Sequence, residues 1–338
     1  MKPQKWLFPY YNRQACERLR RFVGPSTAST ARQKSWFGSN QYTANPAVHR
    51  YRSLGVLHDT DIDHFRESCF TPEVPAVLPR RYFRYLPAFD RWFRPSSTSG
   101  GLQLNTKYLE QHGADSVVPL ELTQLPAELP TPGENSSGGN EPQFRQLHAP
   151  LSLFLQWMRT AETQTQSMRL YLAQCQLLDL PQVLRDDFPI PDLVARAGKG
   201  DIYDVNIWIG RPPTYTPLHR DPNPNLFVQL AGRKVVRLLP PDDGLALFAS
   251  VRRRLGKSAD RGAAVFRGED MMQGQERKLL ERAVWGDPDL KTADAAHRSE
   301  GYEAYLDSGD GLFIPKGWWH SIKGIGEGDT ASVNWWFR

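Results

Sequence analysis

Thr216-Pro-Leu-His-Arg-Asp221, answered far downstream by Gly317-Trp-Trp-His320, is the pair of segments on which the reading of this chain turns. Along a β-strand the side chains alternate faces, so His219 and Asp221 point the same way and can grip one ion. A third ligand, His320, brought in from a distant strand, closes one face of an octahedron and leaves the other positions open. Two histidines and a carboxylate so arranged are the ligand set of a mononuclear non-haem Fe(II) site. The triplet alone is weak evidence, because short motifs arise by chance and an isolated histidine commonly serves as a hydrogen-bonded structural residue. Its surroundings decide the matter.

Working outward, short runs rich in Ile, Val, Phe and Trp are divided by Gly and Pro turns from Arg169 onward. The clearest strands are 203–209, 225–231, 234–239, 312–315 and 330–337. Such spacing is the signature of an antiparallel sandwich or barrel. The double-sheet jelly roll, or cupin, is one such solution.

Seven segments follow in order: Asn206-Ile-Trp-Ile-Gly210, Thr216 to Asp221, Asn225-Leu-Phe-Val-Gln-Leu230, Gly232-Arg-Lys-Val-Val-Arg-Leu-Leu-Pro-Pro241, Gly309-Asp-Gly-Leu-Phe-Ile-Pro315, Gly317 to His320 and Val333-Asn-Trp-Trp336. The series resembles the Jumonji-C (JmjC, cupin-like) family of Fe(II)/2-oxoglutarate oxygenases, above all its small stand-alone protein hydroxylases of the asparaginyl and arginyl types. The resemblance is dense from Tyr171 to the C-terminus and thin before it. It implies a mainly β fold, a double-stranded β-helix (jelly-roll) core with flanking helices and a helical insert.

It also implies a set of roles. Fe(II) falls to His219, Asp221 and His320, with 2-oxoglutarate as co-substrate and O₂ on the last open position. The far carboxylate of 2-oxoglutarate falls to Lys234, with the hydroxyls of Thr216 and Tyr171 beside it. Asn225 and Asn334 match amide positions that flank the co-substrate, and Gln174, Trp208 and Trp336 match positions lining the same cavity. The products are succinate, CO₂ and a hydroxylated substrate. For Arg233 the plain reading, a surface strand residue, is kept, as is ordinary core packing for Trp318, Trp319 and Trp335.

Composition sets the bounds. At 338 residues the chain can bury one substantial core. Hydrophobic residues at 40% and charged residues at 23% describe an ordinary globular protein. No apolar run reaches the roughly 18 residues of a membrane span. Cys16, Cys69 and Cys175 offer neither a disulfide framework nor a Cys-x-x-Cys zinc pair, so a reducing setting is expected.

The net charge of +5 is misleading. Residues 1–57 hold ten of the 42 basic residues and one of the 37 acidic ones, so the remainder carries a net −4. A basic, Ser/Thr-rich, acid-poor leader has the profile of a mitochondrial transit peptide. Its alternatives are a disordered basic arm or an ordered extension packed on the body, with a cytoplasmic or nuclear location.

Residues 58–145 read as the N-terminal α/β region of the same fold, with a low-complexity loop at 130–142 too polar to pack. Within them, Arg81 to Phe93 resembles a strand leading into a helix that ends near Trp92. Residues 105–112 read as a capped helix and 117–122 as a strand, followed by a core-facing helix from Pro150. Residues 146–338 read as the catalytic barrel, carrying a helical insert at 242–301. The insert's 268–285 stretch reads as one helix with a Leu279, Leu280 and Val284 face, packed down by Met271 and Met272. Arg252, Arg253, Arg254 and Lys257 form a basic run read as a solvated helix face.

The resemblance thus implies hydroxylation of an amino-acid side chain in a protein substrate. Histone lysine demethylation and tRNA-base hydroxylation are the alternatives within the family. The net −4 of the body argues against the latter, because nucleic-acid affinity rests on basic surface. A non-catalytic cupin-like scaffold is the alternative of another class. Expected partners are the protein substrate and a second copy in a homodimer, with no membrane.

Overall fold

The computed structural model describes residues 51–96, 101–125, 143–164, 166–259, 269–286 and 300–338. Residues 1–50 of the basic leader, with Cys16, and the polar loop 130–142 lie outside the described residues.

In chain order the strands are β1 (Tyr51–Ser53), β2 (Ala76–Leu78), β3 (Phe93–Pro95), β4 (Leu102–Leu104), β5 (Val117–Gln124), β6 (Gln143–Pro150) and β7 (Met168–Gln176). Then come β8 (Ile202–Gly210), β9 (Thr214–Arg220), β10 (Asn225–Ala231), β11 (Arg233–Leu239), β12 (Gly301–Leu306), β13 (Gly311–Ile314), β14 (Trp319–Ile325) and β15 (Thr330–Phe337). They form a five-stranded sheet, β1-β12-β11-β14-β9, and an eight-stranded sheet, β2-β13-β10-β15-β8-β7-β5-β6, with β3 and β4 as a separate pair. The two larger sheets face one another as the double-stranded β-helix.

Local sequence explains the central pieces. β10 is a run buried along its whole length and bounded by Pro224 and Gly232, as befits a strand covered on both faces. Gly232 turns the chain into β11 at φ 65°, where an added Cβ would fall 2.5 Å from the Asp329 carbonyl. Only glycine meets both conditions. Within residues 58–145, β2 and β5 are built into the large sheet, β2 pairing with β13 and β5 with β7.

The outer face of that sheet is closed by helices α1 (Thr106–Gly113) and α2 (Leu151–Ala161). Leu109, Phe154, Leu155, Ile207 and Ile209 share one buried cluster there. Asn105 precedes α1 but spends its side-chain amide on the Arg91 carbonyl, so no side-chain cap forms. The segment from Arg81 was expected to open as a strand. It is a 3₁₀ turn, Arg80–Phe83, followed by one helical turn, Ala88–Arg91, that does end at Trp92. Arg80 is drawn out of extended pairing by its bonds to Asp307 and Asp310.

The insert contains α3 (Pro241–Arg254), α4 (Glu269–Met272) and α5 (Gly274–Trp285). The single helix expected over 268–285 is therefore two, broken where Gly274 adopts φ 74°. Met271, Leu280 and Val284 are buried, as packing residues should be. Arg252 is not a solvated residue: it is buried against Glu276, with Nη1 donating to both carboxylate oxygens at 3.0 and 2.9 Å. Helical spacing turns one arginine of the run inward while Arg253 stays exposed.

Candidate metal centre

β9 and β14 are antiparallel neighbours, and their register sets His219 opposite His320. Asp221 follows directly on the end of β9. All three side chains are buried, and each offers one ligand atom within 4.8 Å of the others. The Nδ1 of His219 lies 2.8 Å from the Pro217 carbonyl, and that of His320 lies 3.2 Å from the Trp318 carbonyl. A carbonyl only accepts, so both Nδ1 atoms carry the proton and each Nε2 is the lone-pair nitrogen. Each Nε2 faces the Asp221 carboxylate, at 3.8 Å from His219 and 3.6 Å from His320.

The environment keeps the His219 imidazole neutral. Burial first, and the nearby His320 second, push the basicity of His219 well below its ordinary value. A neutral imidazole is the metal-binding form. Asp221 is held in turn, since its Oδ2 accepts from the Asn225 amide at 2.8 Å and from the Trp336 indole at 3.2 Å. Two residues matched to the co-substrate cavity thus also grip the carboxylate ligand. The donor set and its tautomers fit a divalent ion.

A β-bulge brings further groups to the same face. Between the pairs His320–His219 and Ile322–Thr216, β9 carries one residue more than β14. Without that bulge, residues three apart would face opposite ways; with it, Thr216 and Thr214 share the face of His219. Lys234 pairs with Gly324, and Leu238 with His320, so Lys234 lies on that face too. Its ammonium donates to Ser332 Oγ at 2.7 Å and to the Tyr171 hydroxyl at 3.3 Å. Among the described residues no carboxylate pairs with it, and burial lowers its pKa to about 7. A buried ammonium beside two hydroxyls can receive an anion, and the far carboxylate of 2-oxoglutarate would fit it.

The large sheet supplies the opposite wall. Ser332, Asn334 and Trp336 alternate inward on β15, and β8 sets Trp208, Asn206 and Asp204 beside them. The Trp208 indole donates to Asn334 Oδ1 at 2.8 Å. Gln174 sits at φ 52° in the β7 bulge beside Trp208's strand. As read, Arg233 is exposed and pairs with Asp307, and Trp318, Trp319 and Trp335 are fully packed.

Four residues here were not singled out from sequence. Ser332 stands two residues before Asn334, so strand alternation alone could have found it. Thr214, rather than Thr216, hydrogen-bonds the Tyr171 hydroxyl, because Thr214 stands level with Lys234 across Gly324. Glu121 is buried opposite Tyr171 on β5, where desolvation raises its pKa to about 7 against one long 3.5 Å bond from Gln146. Asn206 is fully buried, and neither of its amide atoms has a partner.

Comparison with known proteins adds relatives to this geometry. Residues 63–338 match the family described as a cupin-like domain. "Lysine-specific demethylase JMJ30" of Arabidopsis thaliana is 29% identical over 278 residues, covering 82% of this chain and 52% of the relative. "Lysine-specific demethylase 8" of Danio rerio is 31% identical over 168 residues, covering 49% and 36%. "HSPB1-associated protein 1 homolog" of Danio rerio is 31% identical over 173 residues, covering 50% and 32%. The chain spans about half the length of the curated relatives that it matches most extensively.

Proposed function

The chain belongs to the cupin-like JmjC domain family, whose chemistry is of the oxidoreductase kind, and from that membership we propose an Fe(II)- and 2-oxoglutarate-dependent dioxygenase that hydroxylates an amino-acid side chain of a protein. The observation that carries this reading is the buried Lys234 ammonium, without a carboxylate, on the same strand face as His219 and His320. A scaffold has no use for a desolvated cation beside a complete metal triad, because burying an unpaired charge is costly.

His219, Asp221 and His320 would hold the ion, and Lys234, Tyr171 and Ser332 would receive the distal carboxylate of the co-substrate. When bound, Fe(II), 2-oxoglutarate and O₂ supply the oxidation that turns a substrate C–H into C–OH, with succinate and CO₂ as co-products. Lys234 neutralises the carboxylate that it receives. Asn225 and Trp336 fix the Asp221 carboxylate through Oδ2, so that Oδ1 faces His219 while Oδ2 lies toward His320. Trp208, tied to Asn334, walls the site against water.

The names of two relatives favour a second reading, lysine demethylation. Hydroxylation of an N-methyl group releases formaldehyde, so product analysis separates the two. A mitochondrial address is likewise proposed for residues 1–57, on their basic, Ser/Thr-rich composition. A reporter fused to them that stays diffuse in the cytosol removes it.

Native mass spectrometry with Mn(II) and 2-oxoglutarate tests the main reading. One metal and one 2-oxoglutarate should bind the wild type, with metal lost in His219→Ala and co-substrate weakened in Lys234→Ala. A folded wild type that takes no 2-oxoglutarate would favour the scaffold.

A further inference from the structure

Asn206 is the one fully buried side chain of the inner wall whose amide nitrogen and amide oxygen both lack a partner among the described residues. Its direction follows from register. On β8 its neighbours Val205 and Ile207 face outward, where Ile207 joins the helix-covered core. Asn206 therefore faces inward, opposite Asn334 on β15 and opposite Gln176 on β7. One step along the strands toward the metal is the row Asp204 and Trp336, whose indole reaches Asp221. One step the other way is the row Trp208 and Ser332, whose hydroxyl accepts from Lys234. Asn206 thus sits between the metal end and the Lys234 end, on the side of the wall away from β10.

That side opens outward by degrees. Asn206 is buried, Asp204 is half-buried, and Gln176 is exposed. Gln176 donates to Asp204 at 3.2 Å, which leaves Asn206 as the group without a partner at the inner end of this polar track.

The pattern of unmet bonds selects the ligand. A carboxylate only accepts, so the co-substrate could satisfy the amide nitrogen and leave the oxygen bare. A guanidinium or ammonium only donates, and would do the reverse. A carboxamide both donates and accepts, and pairs with Asn206 through two bonds. Leaving either atom unmet in this buried wall is unfavourable, so the complement must offer both.

We propose that Asn206 anchors a carboxamide of the polypeptide substrate next to the metal, entering along Gln176 and Asp204. The carboxamide comes from a side chain or from the main chain at the residue to be modified. This rests on the oxygenase reading above and adds the chemistry by which its substrate is held.

The test is saturation-transfer NMR on the full chain, with and without Zn(II) and 2-oxoglutarate. The probes are N-acetyl-asparagine N′-methylamide and N-acetyl-alanine N′-methylamide, with acetate as the carboxylate control. The asparagine probe should bind the wild type and lose about tenfold in affinity in both Asn206→Leu and Asn206→Asp. Affinity for 2-oxoglutarate should change by less than about threefold in both variants, which also reports an intact fold. Equal binding of the alanine probe assigns the main-chain amide, and binding of the asparagine probe alone assigns the side chain.

The proposal is overturned if no carboxamide probe binds, or if binding survives in both variants. It is equally overturned if 2-oxoglutarate affinity falls with the probe's, since Asn206 then belongs to the co-substrate. Carboxamide binding by a wild type that takes no 2-oxoglutarate would instead sink the oxygenase reading and leave this subsite standing.

Discussion

His219 and His320 are cross-strand partners in the β9–β14 ladder, with ring centroids 4.2 Å apart and planes inclined at 54°. A direct pair of this kind holds two side chains closer than any other placement in a sheet. Two protonated imidazoles could not coexist there, and burial disfavours even one. The pair is preset for a metal before any metal arrives. His219→Ala should abolish Mn(II) binding while leaving the fold largely intact, because only one ring leaves a polar cluster. Native mass spectrometry and far-ultraviolet circular dichroism check the two halves, and retained metal stoichiometry would remove His219 from the ligand set.

Lys234 should make co-substrate binding depend on pH. Its pKa stands at about 7 against an ordinary 10.5, lowered by burial. A bound dianion favours the charged form, so binding restores the proton that the empty site gives up. Above about pH 7 each 2-oxoglutarate should therefore bring a proton with it, and affinity should fall up to about tenfold per pH unit. Calorimetry at pH 8.5 in buffers of different ionisation enthalpy measures that uptake. Lys234→Met should abolish it and weaken 2-oxoglutarate a few hundred-fold or more, the equivalent of roughly 3–5 kcal/mol for an unpaired buried charge. Proton-neutral binding by the wild type would contradict the assignment.

The contrast between these two sites and the rest shows what a sequence can carry. His219, His320 and Lys234 sit on strands marked by apolar runs and bounding glycines or prolines, Asp221 follows directly on one, and β10 and β15 coincide with the strands read from 225–231 and 330–337. The break at Gly274 lay in plain sight in Met-Gln-Gly-Gln, though a helical apolar face on either side masked it. The β9 bulge had no local signal, and it turns Thr214 and Thr216 to the face of His219. Glu121 alternates with leucines in an ordinary strand pattern, and its burial comes from the neighbouring strands β6 and β7. Arg252 looked like one of a charged run because its partner, Glu276, lies in another helix. Tertiary neighbours, absent from any local window, settled the burial of Glu121 and of Arg252.

Trp336→Phe should weaken the metal without touching a ligand. The indole N–H and the Asn225 amide both donate to Asp221 Oδ2, which turns Oδ1 toward His219. Phenylalanine keeps the apolar bulk and removes that one donor. Groups that orient a ligand in this way are worth about 10–100-fold in metal affinity. Competition titration with a chelating dye measures the loss, and the spectrum of the Co(II)-substituted protein should shift because the carboxylate is free to rotate. Unchanged affinity and spectrum together would mean that Asn225 suffices.

Glu121 should cost stability in the neutral range. Its pKa is raised from 4.5 to about 7, chiefly by desolvation, so the folded state holds its proton more tightly than the unfolded state. Between about pH 4.5 and 7 the unfolded chain ionises first, and folding stability falls as pH rises through that window. The full penalty, roughly 3 kcal/mol, is reached above the folded pKa. Glu121→Gln removes the ionisation and keeps the size. It should raise the melting temperature at pH 8 and leave it unchanged at pH 4.5, where the wild-type carboxyl is protonated in the fold. Equal gains at both values would show that ionisation is not the cause.

The insert should act on the metal through the backs of its strands. Leu218 and Trp319, each next to a ligand histidine, share a buried cluster with Leu247, Phe248 and Val251 of α3 and Leu280 and Val284 of α5. At Gly244 the α3 backbone lies so near Trp319 that an added Cβ would fall 2.2 Å from the indole. The two helices are pinned together by Arg252 and Glu276, both buried, with Lys257 reaching the same carboxylate. Glu276→Gln leaves the arginine charge buried without its counter-ion, a change worth about 3–5 kcal/mol where nothing relaxes. The jelly-roll sheets do not depend on this pair, so the loss should fall on the insert. Hydrogen exchange should therefore speed up in α3 and α5 and stay slow in β10 and β15. Mn(II) should bind more weakly once Trp319 and Leu218 lose their backing, although the variant residue touches no ligand. Faster exchange in the insert with unchanged metal affinity would show that the β9–β14 ladder holds its histidines unaided.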